Sequence, residues 1–161
     1  MTQNALSKVI LDSAFRVHSA LGPGLFEHVY EVILAHELRN QHLEVARQVP
    51  IPIVYDGIEF EEGYRADLIV ERSIIVELKS VEALLPVHWK QLFTQLKLKD
   101  FRLGLLINFG DEHLKNGIRR IGTDFKSIPL RTSAYLCVRL RQDSCLRSGH
   151  GGHGGHGLMN E

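Results

Sequence analysis

Three charged residues interrupt two apolar runs in the segment YRADLIVERSIIVELKS, residues 64–80. They are Asp67, Glu77 and Lys79. An unpaired charge in a buried strand is costly, so such residues need partners that compensate them. Two carboxylates on one side of a hairpin repel each other unless something positive lies between them, and a divalent cation meets that need. The segment therefore predicts a divalent cation site.

The register of this hairpin follows from its apolar residues, because facing residues of an antiparallel pair share one side of the sheet. With residues 71–73 as the loop, three apolar pairs form one face: Val70 with Ile74, Leu68 with Val76, and Ala66 with Leu78. The opposite face then places Arg65 across from Lys79 and Asp67 across from Glu77, with the Cβ atoms of the two acids about 5 Å apart. The alternative to a metal site is a solvated hairpin face that carries a salt bridge.

Hydrophobic spacing predicts the elements that must position these residues. In chain order these are helices at 4–21 and from 25 to about 41, strands at 46–55, 64–70 and 74–80, a helix at 86–99, a strand at 101–109 and a short piece at 117–121. Gly22-Pro23-Gly24 joins the first two helices, and Asp56-Gly57 marks a turn after the first strand. Pro50 and Pro52 indicate an edge strand or a bulge. The order ααβββαβ predicts an α/β fold with a mixed sheet flanked by helices.

The spacing Asp67-x9-Glu77-x-Lys79 resembles the catalytic motif of the PD-(D/E)XK nuclease superfamily. Over about residues 5–122 the chain also resembles the GxxExxY proteins of that superfamily, in the blocks Gly24-x-x-Glu27-x-x-Tyr30, Gln48-Val49-Pro50, LLINFG and LKNGIRRI. The resemblance implies a restriction endonuclease-like core. It also implies that Asp67 and Glu77 hold Mg²⁺ or Mn²⁺, and that Lys79 orients the attacking water and stabilises developing charge.

The resemblance further suggests a third metal ligand on the second helix. Glu27 lies in the first turn, where the helix dipole favours a carboxylate in any case, and in related nucleases a Glu from this helix adds a metal contact. Glu27 is therefore either a ligand or only a favourable helix-start residue. Tyr30, one turn later, is expected to pack, and Glu31 is expected to face solvent.

The third helix carries a polar stripe formed by His88, Gln91 and Gln95. Such a stripe is usually just the solvent-facing side of a helix. Related nucleases carry a Gln or Lys from this helix into the active site, so Gln91 is predicted as a catalytic residue, with His88 as a second candidate. The family pattern has a tyrosine at the position of Gln95, and this departure weakens any prediction of substrate stacking.

Length and composition limit the remaining choices. The 161 residues indicate one nuclease-like domain at 1–124, followed by an extension at 125–161 with a candidate strand at 134–140 and a Gly/His-rich tail that we expect to be disordered. Lys plus Arg and Asp plus Glu balance at 19 each, which counts against a protein that coats nucleic acid. Two cysteines without C-x-x-C spacing, and no apolar run long enough to span a bilayer, predict a cytoplasmic protein.

Together these features predict a Mg²⁺-dependent nuclease that hydrolyses phosphodiester bonds of DNA, with RNA as the less favoured substrate. Its partner would be nucleic acid and not a membrane, and a protein partner or a homodimer is left open. The rival hypothesis is a catalytically silent module of nuclease fold that binds nucleic acid or a protein. A third is a metal-responsive protein built on the tail histidines His150, His153 and His156.

Overall fold

The computed structural model describes residues 1–123, so the predicted strand at 134–140 and the Gly/His-rich tail lie outside the described residues. The helices are α1 (Gln3–Leu21), α2 (Glu27–Asn40) and α3 (Pro86–Lys99), with a short 3-10 helix at Leu114–Gly117. The strands are β1 (Val45–Tyr55), β2 (Ile58–Val70), β3 (Ile74–Lys79), β4 (Leu103–Asn108) and β5 (Ile118–Gly122). The predicted order ααβββαβ is confirmed, and the short piece expected at 117–121 contributes β5.

The five strands form one mixed sheet in the order β1-β2-β3-β4-β5. Neighbouring strands are antiparallel except β3 and β4, which run parallel from the pair Ile74↔Leu103 to the pair Lys79↔Asn108. A parallel pair needs a crossover connection, and α3 provides it. The predicted α/β fold with a mixed sheet is therefore confirmed.

Helices cover both faces of the sheet. On one face, α1 and α2 pack against Leu78 and the other apolar residues of β3 that share its side. On the other face, Leu92 and Leu96 of α3 pack against Ile75. Because side chains alternate along a strand, Glu77 points to the α3 face together with Ile75. None of the helices within residues 1–123 is long and apolar enough to cross a membrane.

β1 and β2 form a long hairpin around the predicted turn Asp56-Gly57. Both turn residues have positive φ angles, 51° and 75°, as a two-residue turn of type I′ requires. This turn lets residues 58–60 pair with residues 53–55, so β2 begins at Ile58 and not at 64 as predicted. The polar residues at the start of β2 hid this part of the strand from the hydrophobic pattern.

β1 lies at an edge of the sheet described for residues 1–123, and its register with β2 shifts between Ile51 and Ile53. The prediction of an edge strand or a bulge from Pro50 and Pro52 is therefore confirmed. Across the hairpin from Ile51, a Cβ atom at Gly63 would lie 2.1 Å from the Ile51 carbonyl oxygen. Only glycine fits so close to the neighbouring backbone.

The hairpin of β2 and β3 follows the predicted register only near its turn. The paired residues are Val70↔Ile74, Ile69↔Ile75 and Leu68↔Val76. The expected continuation, with Asp67 opposite Glu77 and Arg65 opposite Lys79, was wrong. Beyond Leu68, β2 pairs with β1 alone, and β3 pairs with β4 to its end. The backbone N–H of Leu78 instead donates to the side chain of Asp67, so the two strands separate at the acidic residues.

Candidate active site

Asp67 lies at the point where β2 and β3 stop pairing. Its Oδ2 accepts a hydrogen bond from the backbone N–H of Leu78 at 2.8 Å. Ile75 packs under α3 and Glu77 lies two residues further along β3, so Glu77 is on the α3 side of the sheet. The charge of Glu77 acts on Asp67 across the gap between the two strands. The strand separation therefore opens next to two carboxylates.

Glu77 is 7% exposed, and each of its carboxylate oxygens accepts a hydrogen bond from a side chain. Lys79 Nζ donates to Oε1 at 2.9 Å. Gln95 Nε2, from α3, donates to Oε2 at 3.0 Å. A buried carboxylate needs such donors, and here one comes from its own strand and one from the covering helix.

The ammonium group of Lys79 contacts oxygen atoms of three residues. These are Glu77 Oε1 at 2.9 Å, Glu27 Oε1 at 3.3 Å and the carbonyl oxygen of Leu78 at 2.6 Å. Glu27 enters from the first turn of α2. The structure thus brings Glu27, Glu77 and Lys79 into direct contact.

Tyr30 fixes the segment that carries Glu27. Its side chain is fully buried and stacks on Phe109, with ring centroids 4.4 Å apart. Its hydroxyl donates to the carbonyl oxygen of Gly22 at 2.6 Å and accepts from the backbone N–H of Leu25 at 3.2 Å. The packing expected of Tyr30 is confirmed, and its hydroxyl also closes the loop between α1 and α2.

Asp67 and Lys79 both have raised pKa values, with different consequences for their charge at neutral pH. Burial, and then the negative charge of Glu77, raise the pKa of Asp67 from 3.8 to about 7. Burial alone would lower the pKa of Lys79, but the charges of Glu77, Glu27 and Asp67 outweigh it and raise that pKa. Lys79 therefore stays protonated at neutral pH, while Asp67 is close to its midpoint.

A second polar cluster adjoins Asp67 and was not predicted from the sequence. It consists of Glu31, Arg47 and Gln48 and is called the Glu31 cluster. Glu31 is 3% exposed, so the expectation that it faces solvent was wrong. Arg47 Nε donates to its Oε1 at 2.8 Å, and Gln48 Nε2 donates to its Oε2 at 2.6 Å. The Gln48 amide also lies 3.4 Å from Asp67 Oδ1. The available signal was spacing, because Glu31 precedes the buried Leu34 by one helical turn.

Gln48 has a φ angle of 50°, which is unusual for a residue other than glycine within a strand. This conformation coincides with a break in the ladder, since Arg47 and Val49 pair with β2 and Gln48 does not. The amide of Gln48 thus lies between two acids, Glu31 and Asp67.

On α3 the structure places Gln95, and not Gln91, against the acids. Gln91 is half-buried one turn earlier, and among residues 1–123 it makes no hydrogen bond to Asp67 or Glu77. His88 Nδ1 accepts from the backbone N–H of Leu85 at 3.1 Å, which caps the start of α3. A site role for Gln91 remains a prediction.

The oxygen atoms of the site fit a hard divalent cation in chemical type. In the conformation described for residues 1–123, no three His, Cys, Asp or Glu side chains are arranged to hold a metal ion. Oxygens of Glu27, Glu77 and Leu78 nevertheless surround one positive atom, Lys79 Nζ, and carboxylate and carbonyl oxygens are what Mg²⁺ prefers. Asp67 adds a further carboxylate at the point where β2 and β3 separate.

The fold and the site define an α/β protein whose central strands separate at an Asp, Glu and Lys cluster. A family model of the PD-(D/E)XK nuclease superfamily matches residues 4–121, and the chain belongs to this superfamily. Proteins of this superfamily are generally nucleases that use divalent metals. No curated protein and no solved structure matches the chain. The narrower resemblance to the GxxExxY proteins stays a prediction.

Proposed function

We propose that the protein is a nuclease that hydrolyses phosphodiester bonds of DNA with Mg²⁺, or Mn²⁺ in its place. One observation carries the proposal: oxygen atoms of Glu27, Glu77 and Leu78 converge on a single cationic nitrogen. A site that gathers oxygens around positive charge suits a small divalent cation. Membership in a superfamily of nucleases supports the same activity.

In this proposal Asp67, Glu77 and Glu27 hold the metal, with the Leu78 carbonyl as a further oxygen ligand. The bound ion would supply positive charge near the phosphate and make a water molecule more acidic. The raised pKa of Asp67 supports this assignment, because a carboxylate that is hard to ionise lacks sufficient positive charge nearby. The four oxygen-bearing residues lie on three elements that the fold holds together: α2 carries Glu27, β2 carries Asp67, and β3 carries Glu77 and Leu78.

Lys79 acts as a hydrogen-bond donor and a fixed positive charge. Because its pKa is raised, it does not take up a proton from water at neutral pH and is not the general base. It can donate to a water molecule or to a phosphate oxygen, which orients the attack on phosphorus and stabilises the negative charge that develops there. Gln91 is proposed as an additional polar group from α3.

A second candidate function is a catalytically silent module that binds nucleic acid or a protein. It is favoured by the same contacts read as salt bridges, since Lys79 already compensates both Glu77 and Glu27. In that case the acids are part of the architecture, and divalent cations neither bind nor change stability.

The test is cleavage by the purified protein of single-stranded, duplex and branched DNA and of RNA, each with Mg²⁺, Mn²⁺ or EDTA. We expect metal-dependent cleavage of DNA that is lost in Asp67→Asn and in Glu77→Gln. Asp12→Asn is the matched control, because Asp12 pairs with Lys8 on the exposed side of α1. Cleavage that persists in EDTA or in both site variants would rule out the proposed site. Absence of any cleavage together with absence of metal binding would favour the silent module.

A further inference from the structure

Gln95 is a polar residue buried among apolar ones. It is 2% exposed, and on α3 it lies beside Leu92 and Leu96, both fully buried. Its Nε2 donates to Glu77 Oε2 at 3.0 Å. Its Oε1 is buried and has no hydrogen-bond partner in the part of the chain that the structure describes. Buried polar atoms are usually paired, so this oxygen requires an explanation.

The charge of Glu77 fixes which way the Gln95 amide points. If the amide were reversed, its carbonyl oxygen would face the carboxylate, and two acceptors repel each other. The hydrogen bond to Glu77 therefore leaves Oε1 of Gln95 as an unused acceptor. A leucine or methionine at 95 would fit the apolar surroundings without this cost.

The contact also sets the orientation of Glu77. With Oε2 held by Gln95, the other carboxylate oxygen, Oε1, is directed to the Lys79 ammonium, which also contacts Leu78 and Glu27. Gln95 thus acts from the helix that covers the sheet and not from the strands that carry the acids. Rotation of the Glu77 side chain would break this bond and would move Oε1 away from the other oxygens.

We propose that Gln95 is a positioning residue of the site. Its Nε2 holds Glu77 in the orientation that binds the cation, and its Oε1 accepts a hydrogen bond from a water molecule bound beside Glu77. Water is small and donates two hydrogen bonds, so it suits a single buried acceptor near a carboxylate. The effect on cleavage rests on the proposed function, whereas the effect on cation binding does not.

The first experiment compares Gln95→Met with Gln41→Met. Methionine is close to glutamine in length and fills the same space without donor or strong acceptor. Gln41 is the matched control, because its amide donates to Ser13 Oγ at 2.6 Å on the α1 and α2 side of the protein. Three quantities are measured for each variant. They are the Mn²⁺ affinity by calorimetry, the melting temperature in EDTA, and kcat and KM for DNA cleavage with Mg²⁺.

We expect Gln95→Met to weaken Mn²⁺ binding by about 10-fold or more and to lower kcat by a similar factor, with KM little changed. Its melting temperature in EDTA should also fall, because Glu77 Oε2 loses its side-chain donor. Gln41→Met should keep the Mn²⁺ affinity of the wild-type protein. An unchanged Mn²⁺ affinity in Gln95→Met overturns the proposal. So does a pattern in which stability falls while the folded protein still binds Mn²⁺ normally.

The second experiment needs no variant and decides the case if Gln95→Met fails to fold. In the isotope-labelled wild-type protein, paramagnetic Mn²⁺ should broaden the side-chain amide resonance of Gln95 and leave that of Gln41 sharp. Binding of Mn²⁺ without broadening at Gln95 overturns the inference. Broadening at Gln95 in a protein that cleaves no nucleic acid removes the proposed function and leaves the positioning role in place. A crystal structure should show a water molecule about 3 Å from Gln95 Oε1. Absence of a water molecule at that position would contradict the proposed role of Oε1 as an acceptor for bound water.

Discussion

The carboxylate of Asp67 accepts the backbone N–H of Leu78 at 2.8 Å, so a side chain of β2 takes the place of a strand partner on β3. Regular pairing of these strands ends just before, at Leu68↔Val76. This bond orients Asp67 but does not neutralise it. Burial and Glu77 still raise the pKa of Asp67 to about 7, so the metal-free site should be under electrostatic strain at neutral pH.

The strain should appear as a pH-dependent stability in EDTA. The folded pKa of Asp67, about 7, lies above its unfolded value of 3.8, so the folded state binds more protons between these values. The stabilising contribution of protonated Asp67 is complete below pH 3.8 and is lost as the pH rises through about 7. The full loss would be about 4 kcal/mol at most. Urea unfolding at pH 5 and pH 8.5 measures the part of this loss that falls between those two values, about 3 kcal/mol at most.

Asp67→Asn is the test variant for this pH dependence, since asparagine keeps the shape of Asp67 and carries no charge. We expect its free energy of unfolding to be nearly flat between the two pH values relative to the wild-type protein, and to be equal or higher above pH 7. Asp12→Asn should keep the wild-type pH profile. An identical slope in wild type and Asp67→Asn would show that Asp67 does not carry the strain.

Lys79→Met should separate the structural from the catalytic role of the lysine. Loss of the ammonium leaves Glu77 buried with Gln95 as its remaining side-chain donor, which should cost about 3 kcal/mol in EDTA. Millimolar Mn²⁺ should restore part of this stability, because the cation replaces the missing charge. Turnover should nevertheless stay lower by on the order of 10² or more. Thermal melts with EDTA and Mn²⁺, and single-turnover cleavage, measure both effects; no gain in stability with Mn²⁺ would contradict the metal assignment.

Tyr30→Phe should loosen the loop that carries Glu27. The change removes only the hydroxyl that bonds Gly22 and Leu25, and keeps the ring on Phe109. We expect a loss of about 1–2 kcal/mol in the free energy of unfolding and a lower metal affinity through Glu27. Tyr55→Phe is the control, because Tyr55 is 74% exposed. Equal effects of the two variants on stability and metal affinity would show that the Tyr30 hydroxyl does not stabilise this loop.

Arg47→Met should test whether the Glu31 cluster is structural. Glu31 would remain buried with Gln48 as its side-chain donor, which should destabilise the fold by about 3 kcal/mol. Arg16→Met is the control, because the Arg16 and Glu37 side chains are 52% and 31% exposed and their pair should contribute less than about 1 kcal/mol. Guanidinium chloride unfolding of both variants measures the difference, and similar losses would argue against a special cost of leaving Glu31 buried without its arginine partner.

The elements could be predicted from the sequence because their signals are local. The apolar spacing of α1 and α3 follows one face of a helix, and the pairs from Val70↔Ile74 to Leu68↔Val76 follow from one apolar face of a hairpin. These patterns depend on neighbours a few residues away. Neither needs knowledge of the tertiary fold.

The separation of the strands at Asp67 could not be predicted in this way. Alternative strand pairings compete beyond the turn, where β2 pairs with β1 and β3 pairs with β4. No local sequence pattern indicates which of these pairings is the more stable. The burial of Glu31 and Gln95 was missed for a similar reason. Their compensating partners, Arg47 and Glu77, come from other elements, and polar spacing alone places such residues on the surface.

Pro50 and Pro52 have a consequence for the behaviour of the protein at high concentration. They lie in β1, at one margin of the sheet described for residues 1–123, and neither offers a backbone N–H to an incoming chain. An exposed strand without these prolines could template the addition of β-strands from other molecules. The two prolines therefore interrupt the row of donors on which intermolecular β-aggregation depends.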